Sequence, residues 1–465
     1  MRKTFLSALG ALLLIAVAVL TGWDRSEAIP SFARKYKTSC TTCHIAVPKR
    51  NAFGEAFRRN GYVLPKGDAQ LIKQDPVSLG AEGWKEAFPK AVWPGVIPEN
   101  FPLAAYVHTR AVYDRLKPGG ERFGFDMPHE LELLIGMSFG EYLGAFGEWI
   151  AYESGRDAVG LQRFFFQFND VLGRRDAFNI KVGRFEPGIT SGYMQANRIT
   201  LDRPLTIDYR ASDWRPRDNQ AGVELNGILG SRFEYAFGLV NGEGKTVPFK
   251  DRKDVFARVA VKVGGMGLDG KGAPVELKEV NNWVDNAVTV GVYAYNGQFK
   301  KSTSATAQAI DTTGSKGDPT KFKIKTTTTS KKWDNEFNRF GFDLRAGYER
   351  LELTGGVIFG DDENPFGDDK KLKHTAYFGE VDAILYPWLI GVFRVNHAQS
   401  KLVDDDRDKY WEINPNLTIL HRANIRFSLE GRFRVDQKRT VGGVVRDPTE
   451  KRAFRLFRAN TMVVF

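Results

Sequence analysis

Both cysteines of the chain stand in Cys40-Thr41-Thr42-Cys43-His44. Two thiols two residues apart, followed at once by an imidazole, can form thioether bonds to the two vinyl groups of a porphyrin and give its iron an axial nitrogen. That is the attachment pattern of haem c. Two other chemistries use similar spacing. A dithiol redox site would want a βαβ setting, and a zinc site would want a fourth ligand beyond Cys40, Cys43 and His44. Covalent haem is favoured over both, and it leaves no cysteine for a disulfide.

The elements around this motif must deliver it to the right compartment and then hold it. Arg2 and Lys3 precede an apolar run from Leu6 to Leu20, and Ser26-Glu27-Ala28 places small residues where a signal peptidase reads. Residues 1–28 therefore read as a cleavable secretory signal, since the run is shorter than the ~20 residues of a spanning helix. Export suits haem c, which bacteria attach outside the cytoplasm. The net charge of +11 is scattered along the chain. With export, it points to solvated loops and pore lining and to no nucleic-acid partner.

Residues 29–100 form a first unit, a small, mainly helical or irregular haem domain. Within Asn51 to Tyr62, Phe53 and Phe57 lie four apart and Asn60-Gly61 is a stop signal. This predicts a short helix with one apolar edge that can pack on the haem or in a small core. Some seventy residues make a marginal unit unless a cofactor or a surrounding wall adds buried surface.

From residue 101 to 465 the pattern has period two. Arg426, Ser428, Glu430, Arg432 and Arg434 alternate with Ile425, Phe427, Leu429, Gly431 and Phe433, and the stretches around Val259 and Phe342 behave alike. About sixteen such segments can be counted, an even number, as a bacterial single-chain barrel requires. Short links such as Gly140 to Glu141, Leu229 to Ser231 and Tyr386 to Pro387 alternate with long ones such as Pro187 to Asp218, Lys300 to Asn335 and Gly360 to Leu372. This is the pattern of periplasmic turns and extracellular loops. One link breaks it: Gly264 to Asn286 is long where a short turn is expected, so a hairpin there is in question. The chain ends on Phe465, an aromatic closing an alternating strand, as outer-membrane barrels do. The expected fold is an all-β, antiparallel outer-membrane barrel with the haem domain in its lumen or at its periplasmic mouth. A soluble sandwich or barrel is the competing architecture.

The stretch Ile29-Pro30-Ser31-Phe32-Ala33-Arg34, the haem motif, Pro48, Phe53-Gly54, Phe57 and Gly61-Tyr62 together resemble the fused monohaem cytochrome–porin family of the outer membrane. The likeness is one of motif over roughly the first thirty-five mature residues and of architecture beyond. It implies that Cys40 and Cys43 anchor one haem c, that His44 is the proximal iron ligand, and that electrons pass from extracellular Fe²⁺ to a periplasmic carrier such as a soluble cytochrome. The chain would then be an Fe(II)-oxidising oxidoreductase set in outer-membrane lipid. An outward conduit to an extracellular acceptor uses the same parts, and a solute porin with a structural haem plug is the alternative from another class.

Residues 29–100 contain no methionine, and His44 is their one histidine. A second strong axial ligand must therefore come from the barrel or from a lysine or tyrosine, or the site stays open or water-bound. His108 shares parity with Tyr106 and Arg110 and should face the lumen, as a distal ligand or, more plainly, as a histidine bonded to polar neighbours. Parity puts His129 and His397 on the lipid side or its rim. Two acidic runs, Asp361 to Asp369 and Asp404 to Asp408, are expected in extracellular loops, chiefly as solvated charge, with cation collection as the sharper reading. The Ser, Thr and Lys rich stretch from Lys300 to Lys332 reads as low-complexity loop.

Overall fold

The computed structural model describes residues 31–65, 77–78, 96–97, 102–115, 121–155, 159–190, 197–212, 214–242, 252–272, 283–311, 323–403, 405–441, 444–446 and 454–464. The signal at 1–28, most of 66–100 and Phe465 lie outside the described residues.

Among the described residues, sixteen antiparallel strands close into one barrel. The first eight are β1 (Leu103–Asp114), β2 (Phe123–Phe139), β3 (Leu143–Glu153), β4 (Gly160–Phe168), β5 (Asn179–Phe185), β6 (Gln220–Leu229), β7 (Phe233–Val240) and β8 (Asp254–Gly264). The second eight are β9 (Ala287–Asp311), β10 (Lys323–Tyr348), β11 (Leu351–Asp362), β12 (Leu372–Tyr386), β13 (Leu389–Leu402), β14 (Asp405–Arg422), β15 (Ile425–Val441) and β16 (Phe454–Val464). Each pairs with its sequence neighbour, and β16 closes on β1 through Thr461 opposite Thr109. A short strand at Val444–Arg446 folds back on the end of β15 and adds no stave, because β15 itself pairs with β16.

Period-two alternation is what lets this wall stand between two solvents. On β8, Val259, Val261 and Val263 are 41, 48 and 68 % exposed, whereas Arg258 and Lys262 are 4 and 7 % exposed. Trp149, Phe237, Phe340 and Leu429 continue the exposed apolar band on β3, β7, β10 and β15. The inner face instead pairs its charges, as in Lys181 with Glu224 at 2.6 Å and Arg339 with Asp362 at 2.9 Å. Apolar outside and polar inside is the arrangement a bilayer imposes on a closed barrel.

At the near end, where β1 begins and β16 ends, most links are tight turns; the far end carries the long ones. The long link between β8 and β9 stays at the near end. Gly264 and Ala287 are directly paired across it, so no hairpin is missing and the count of sixteen stands. Its Met266 packs with Tyr36, Phe53, Phe57 and Leu64 of the N-terminal segment.

Four expectations are corrected. Within the stretch 300–332, residues 300–311 and 323–332 are a paired extension of β9 and β10, with Thr306 opposite Thr328 and Asp311 opposite Lys323, because β-branched threonine suits a ladder whatever its sequence complexity. The described parts of the link 186–219, residues 186–190, 197–212 and 214–219, fold into the lumen instead of covering the surface. They carry a short helix α3 (Leu205–Asp208), bury Ile189, Ile199 and Ile207, and tie Thr200 to Arg394 at 2.6 Å. His129 leaves the lipid side because the β1–β2 register shifts between His108 opposite Glu130 and Arg110 opposite Asp126. Its ring lies 5.0 Å from that of His108, and its Nδ1 stands 2.9 Å from Asp126. Of the acidic runs, Asp362 is buried against Arg339 on β11, and Asp405, Asp406 and Asp408 lie on β14. Among the described residues no group of three or more His, Cys, Asp and Glu side chains is arranged to hold a metal ion.

Candidate haem site within the barrel

Residues 31–65 build the site from short elements: helix α1 (Ser31–Tyr36), a tight helical turn at Cys40–Thr42, a small hairpin pairing His44–Ala46 with Lys49–Arg50, and helix α2 (Ala52–Arg59). Asn51 joins the last element to the first. Its side-chain oxygen caps α2 by accepting from the Gly54 amide at 2.9 Å, and its side-chain nitrogen donates to the Thr42 carbonyl at 3.0 Å. The cap thus fixes where α2 starts relative to the motif. Gly54 then allows contact: a Cβ there would stand 2.9 Å from the Cys43 carbonyl carbon and closer still to its oxygen. As expected, α2 buries Phe53 and Phe57 and stops at Asn60-Gly61, where Gly61 takes a φ of +61°.

The segment sits in the near end of the lumen and is bonded to the wall on several sides. Lys49 reaches Glu352 at 2.8 Å, Glu380 at 3.7 Å and Asp382. Burial opposes its charge, but Asp382, Glu352 and Glu380 outweigh burial and hold the ammonium above its usual range. Arg59 pairs with Glu234 at 2.8 Å, and Arg345 donates to the Arg50 carbonyl at 2.8 Å. Two wall glycines make room. Phe32 lies over Gly136, and the Gly61 carbonyl carbon is 2.6 Å from where a Gly144 side chain would begin.

A cavity of about 280 Å³ opens between this segment, the wall and the inward-folded link 186–219. Cys40, Cys43 and His44 all line it. His44 Nδ1 lies 3.2 Å from the Pro48 carbonyl, so Nδ1 serves as donor and Nε2 keeps the lone pair a metal needs. Burial, reinforced by the nearby Arg50 charge, lowers the His44 pKa to about 4 and keeps the imidazole neutral. Burial pushes the Cys40 thiol up to about 11 and the Cys43 thiol up to about 12. A dithiol redox site works through a lowered thiol pKa, and burial moves both of these thiols the other way. Phe32, Phe57 and Tyr62 give the cavity apolar ring surface, with Phe32 and Phe57 edge-on at 4.9 Å and Phe32 stacked on Tyr62 at 5.6 Å. Paired thiols, a neutral imidazole with a free nitrogen and flanking aromatic rings fit a haem.

His108 faces the lumen, buried, with Nε2 3.3 Å from Asn460. It does not line the cavity; Tyr106, one inward position earlier on β1, does. His374 packs on Tyr209 in the lumen, and His397 lies between Tyr377 and Trp411. The cavity also takes Glu130 and Glu132 from β2 and Arg198 and Arg203 from the inward link. Parity could have found the two glutamates. No sequence signal marked the arginines, because nothing in 186–219 announces that the link turns inward.

No family model and no curated protein matches the chain. Solved structures do. OmpT of Vibrio cholerae in its trimer form is 11 % identical with a TM-score of 0.50, covering 78 % of this chain and 98 % of that one. The anion-selective porin of Comamonas acidovorans gives 11 % and 0.50 over the same shares. The outer membrane channel DcaP of Acinetobacter baumannii gives 9 % and 0.50, over 78 % of this chain and 96 % of the other. With a closed sixteen-strand wall, an apolar outer band and these likenesses, the fold of this chain is that of an outer-membrane β-barrel.

Proposed function

We propose that this barrel is an outer-membrane electron conduit carrying one haem c, bound through Cys40 and Cys43 with His44 on the iron, and that it belongs with the fused cytochrome–porin proteins it resembles. The observation that carries the reading is that all three residues line one cavity enclosed by a lipid-facing wall. When bound, haem supplies a one-electron couple. The chain's part is positional: the thiols fix the group, the Pro48 carbonyl orients His44, and Phe32 and Phe57 keep water from it. The hydrocarbon layer is ~30 Å thick, so a redox centre inside the wall shortens the electron's path to either face. Extracellular Fe²⁺ is the first candidate substrate and a soluble periplasmic cytochrome the first candidate acceptor; flow outward would use the same residues. A second reading, a solute porin with a structural plug, is favoured by the porin fold of the matched structures, one of them described as anion-selective.

Liposomes enclosing oxidised cytochrome c separate the two. A conduit reduces the enclosed cytochrome when Fe²⁺ is added outside and does not leak small solutes. Leakage without reduction favours the porin, and a purified protein without covalent haem ends the conduit reading.

A further inference from the structure

Cysteines hold a haem c by its vinyl edge, and its two propionates lie on the opposite edge, so a haem held by the motif would bring two anionic groups into the cavity. Most cations around the cavity already have carboxylate partners. Arg50 and Arg58 pair with Glu55 at 2.5 and 3.0 Å, Arg163 bonds Glu148 at 2.7 Å, and Lys181 meets Glu224 at 2.6 Å. Arg198 and Arg203 differ. Both enter from the inward link, and among the described residues neither stands within ion-pair distance of a carboxylate. Arg198 donates to the Leu201 carbonyl at 3.3 and 3.2 Å, and Arg203 Nε is buried with no hydrogen-bond partner. Burial and then the Arg203 charge push Arg198 down to about 9, with Arg394 and Arg426 adding to the repulsion and Tyr106 opposing it. Glu130 feels the Arg203 charge across the cavity but forms no ion pair with it, so both guanidinium forks keep donors for a bound carboxylate, whose geometry they match.

We propose that Arg198 and Arg203, which line the same cavity as Cys40 and Cys43, bind the haem propionates. The proposal rests on the haem reading above. It makes the link 186–219 part of the cofactor site, so that both ends of the lumen contribute to it.

The test is redox titration of the purified full chain in detergent, comparing Arg198→Gln, Arg203→Gln and the double variant with Arg198→Lys and Arg203→Lys. Thioether bonds hold the porphyrin regardless of the propionates, so covalent haem content should match the native chain. Removing positive charge beside a propionate favours the ferric state, so each glutamine variant should shift the midpoint potential downward, and each lysine variant should return it toward the native value. Native haem content with an unmoved potential in both single glutamine variants overturns the proposal alone. A native chain without covalent haem overturns the haem reading and this proposal together. If the double variant does not assemble, the single and lysine variants decide.

Discussion

Asn51 and Gly54 show how few atoms separate a haem motif from a haem site. The motif supplies thiols and an imidazole, but their relative placement is held by one amide that caps α2 and bonds the Thr42 carbonyl, and by a missing side chain over Cys43. Gly54→Ala should therefore do more harm than the usual single methyl. The obstacle is backbone, which cannot rotate aside, and overpacking of this kind costs ~1–3 kcal/mol. The expected result is a fall in covalent haem per barrel, read from the Soret absorbance of purified protein, while heat-modifiable migration on gels shows an intact barrel. Normal haem content in Gly54→Ala would mean that α2 does not rest on the motif. Gly54 was legible in the sequence as part of Phe53-Gly54; the contact that explains it was not, because it depends on α2 returning over Cys43.

At the scale of elements, the docking of 31–65 turns on Lys49, whose ammonium is enclosed by carboxylates of β11 and β12. Taking away one partner of a buried ionic cluster leaves the others uncompensated, at ~3–5 kcal/mol. Lys49→Met should release the segment and open it to protease from the near end, while the barrel remains resistant. Adding Glu352→Gln and Asp382→Asn should restore much of the protection. Alkali should not mimic the substitution. The folded-state pKa of Lys49 lies above its unfolded value of ~10.4, so its contribution is whole below that pH and fades only as the pH rises through the folded value. Protection measured at pH 7 and pH 10 should be equal. The sixteen strands that receive the segment were readable from parity, since the bilayer enforces apolar and polar faces at period two. Where one residue breaks the ladder, parity fails; the shift between β1 and β2 turned His129 inward for that reason.

For the whole molecule, the lumen is filled from both ends, by residues 31–65 at the near end and by the link 186–219 from the far end. The sequence suggested the first through a unit too small to be stable alone. It hid the second, since a link without period reads as surface until its Ile199 and Ile207 are seen buried and its Asp202 is seen meeting Arg432 and Arg458 inside the wall. These two fillings decide how the conduit and porin readings differ in measurable transport. Sixteen strands leave room for an aqueous channel when nothing occupies it. In the native chain that room is taken by a segment bonded to β2, β4, β7 and β11. Deleting residues 31–65 removes those contacts and leaves the strand ladder unaltered, so the shortened chain should still insert as a heat-modifiable barrel. In planar bilayers its single-channel conductance should rise several-fold over the native chain, while covalent haem is lost with Cys40 and Cys43. Equal conductance in the two proteins would mean that the native lumen already passes ions around the segment, and would turn the balance toward the solute porin.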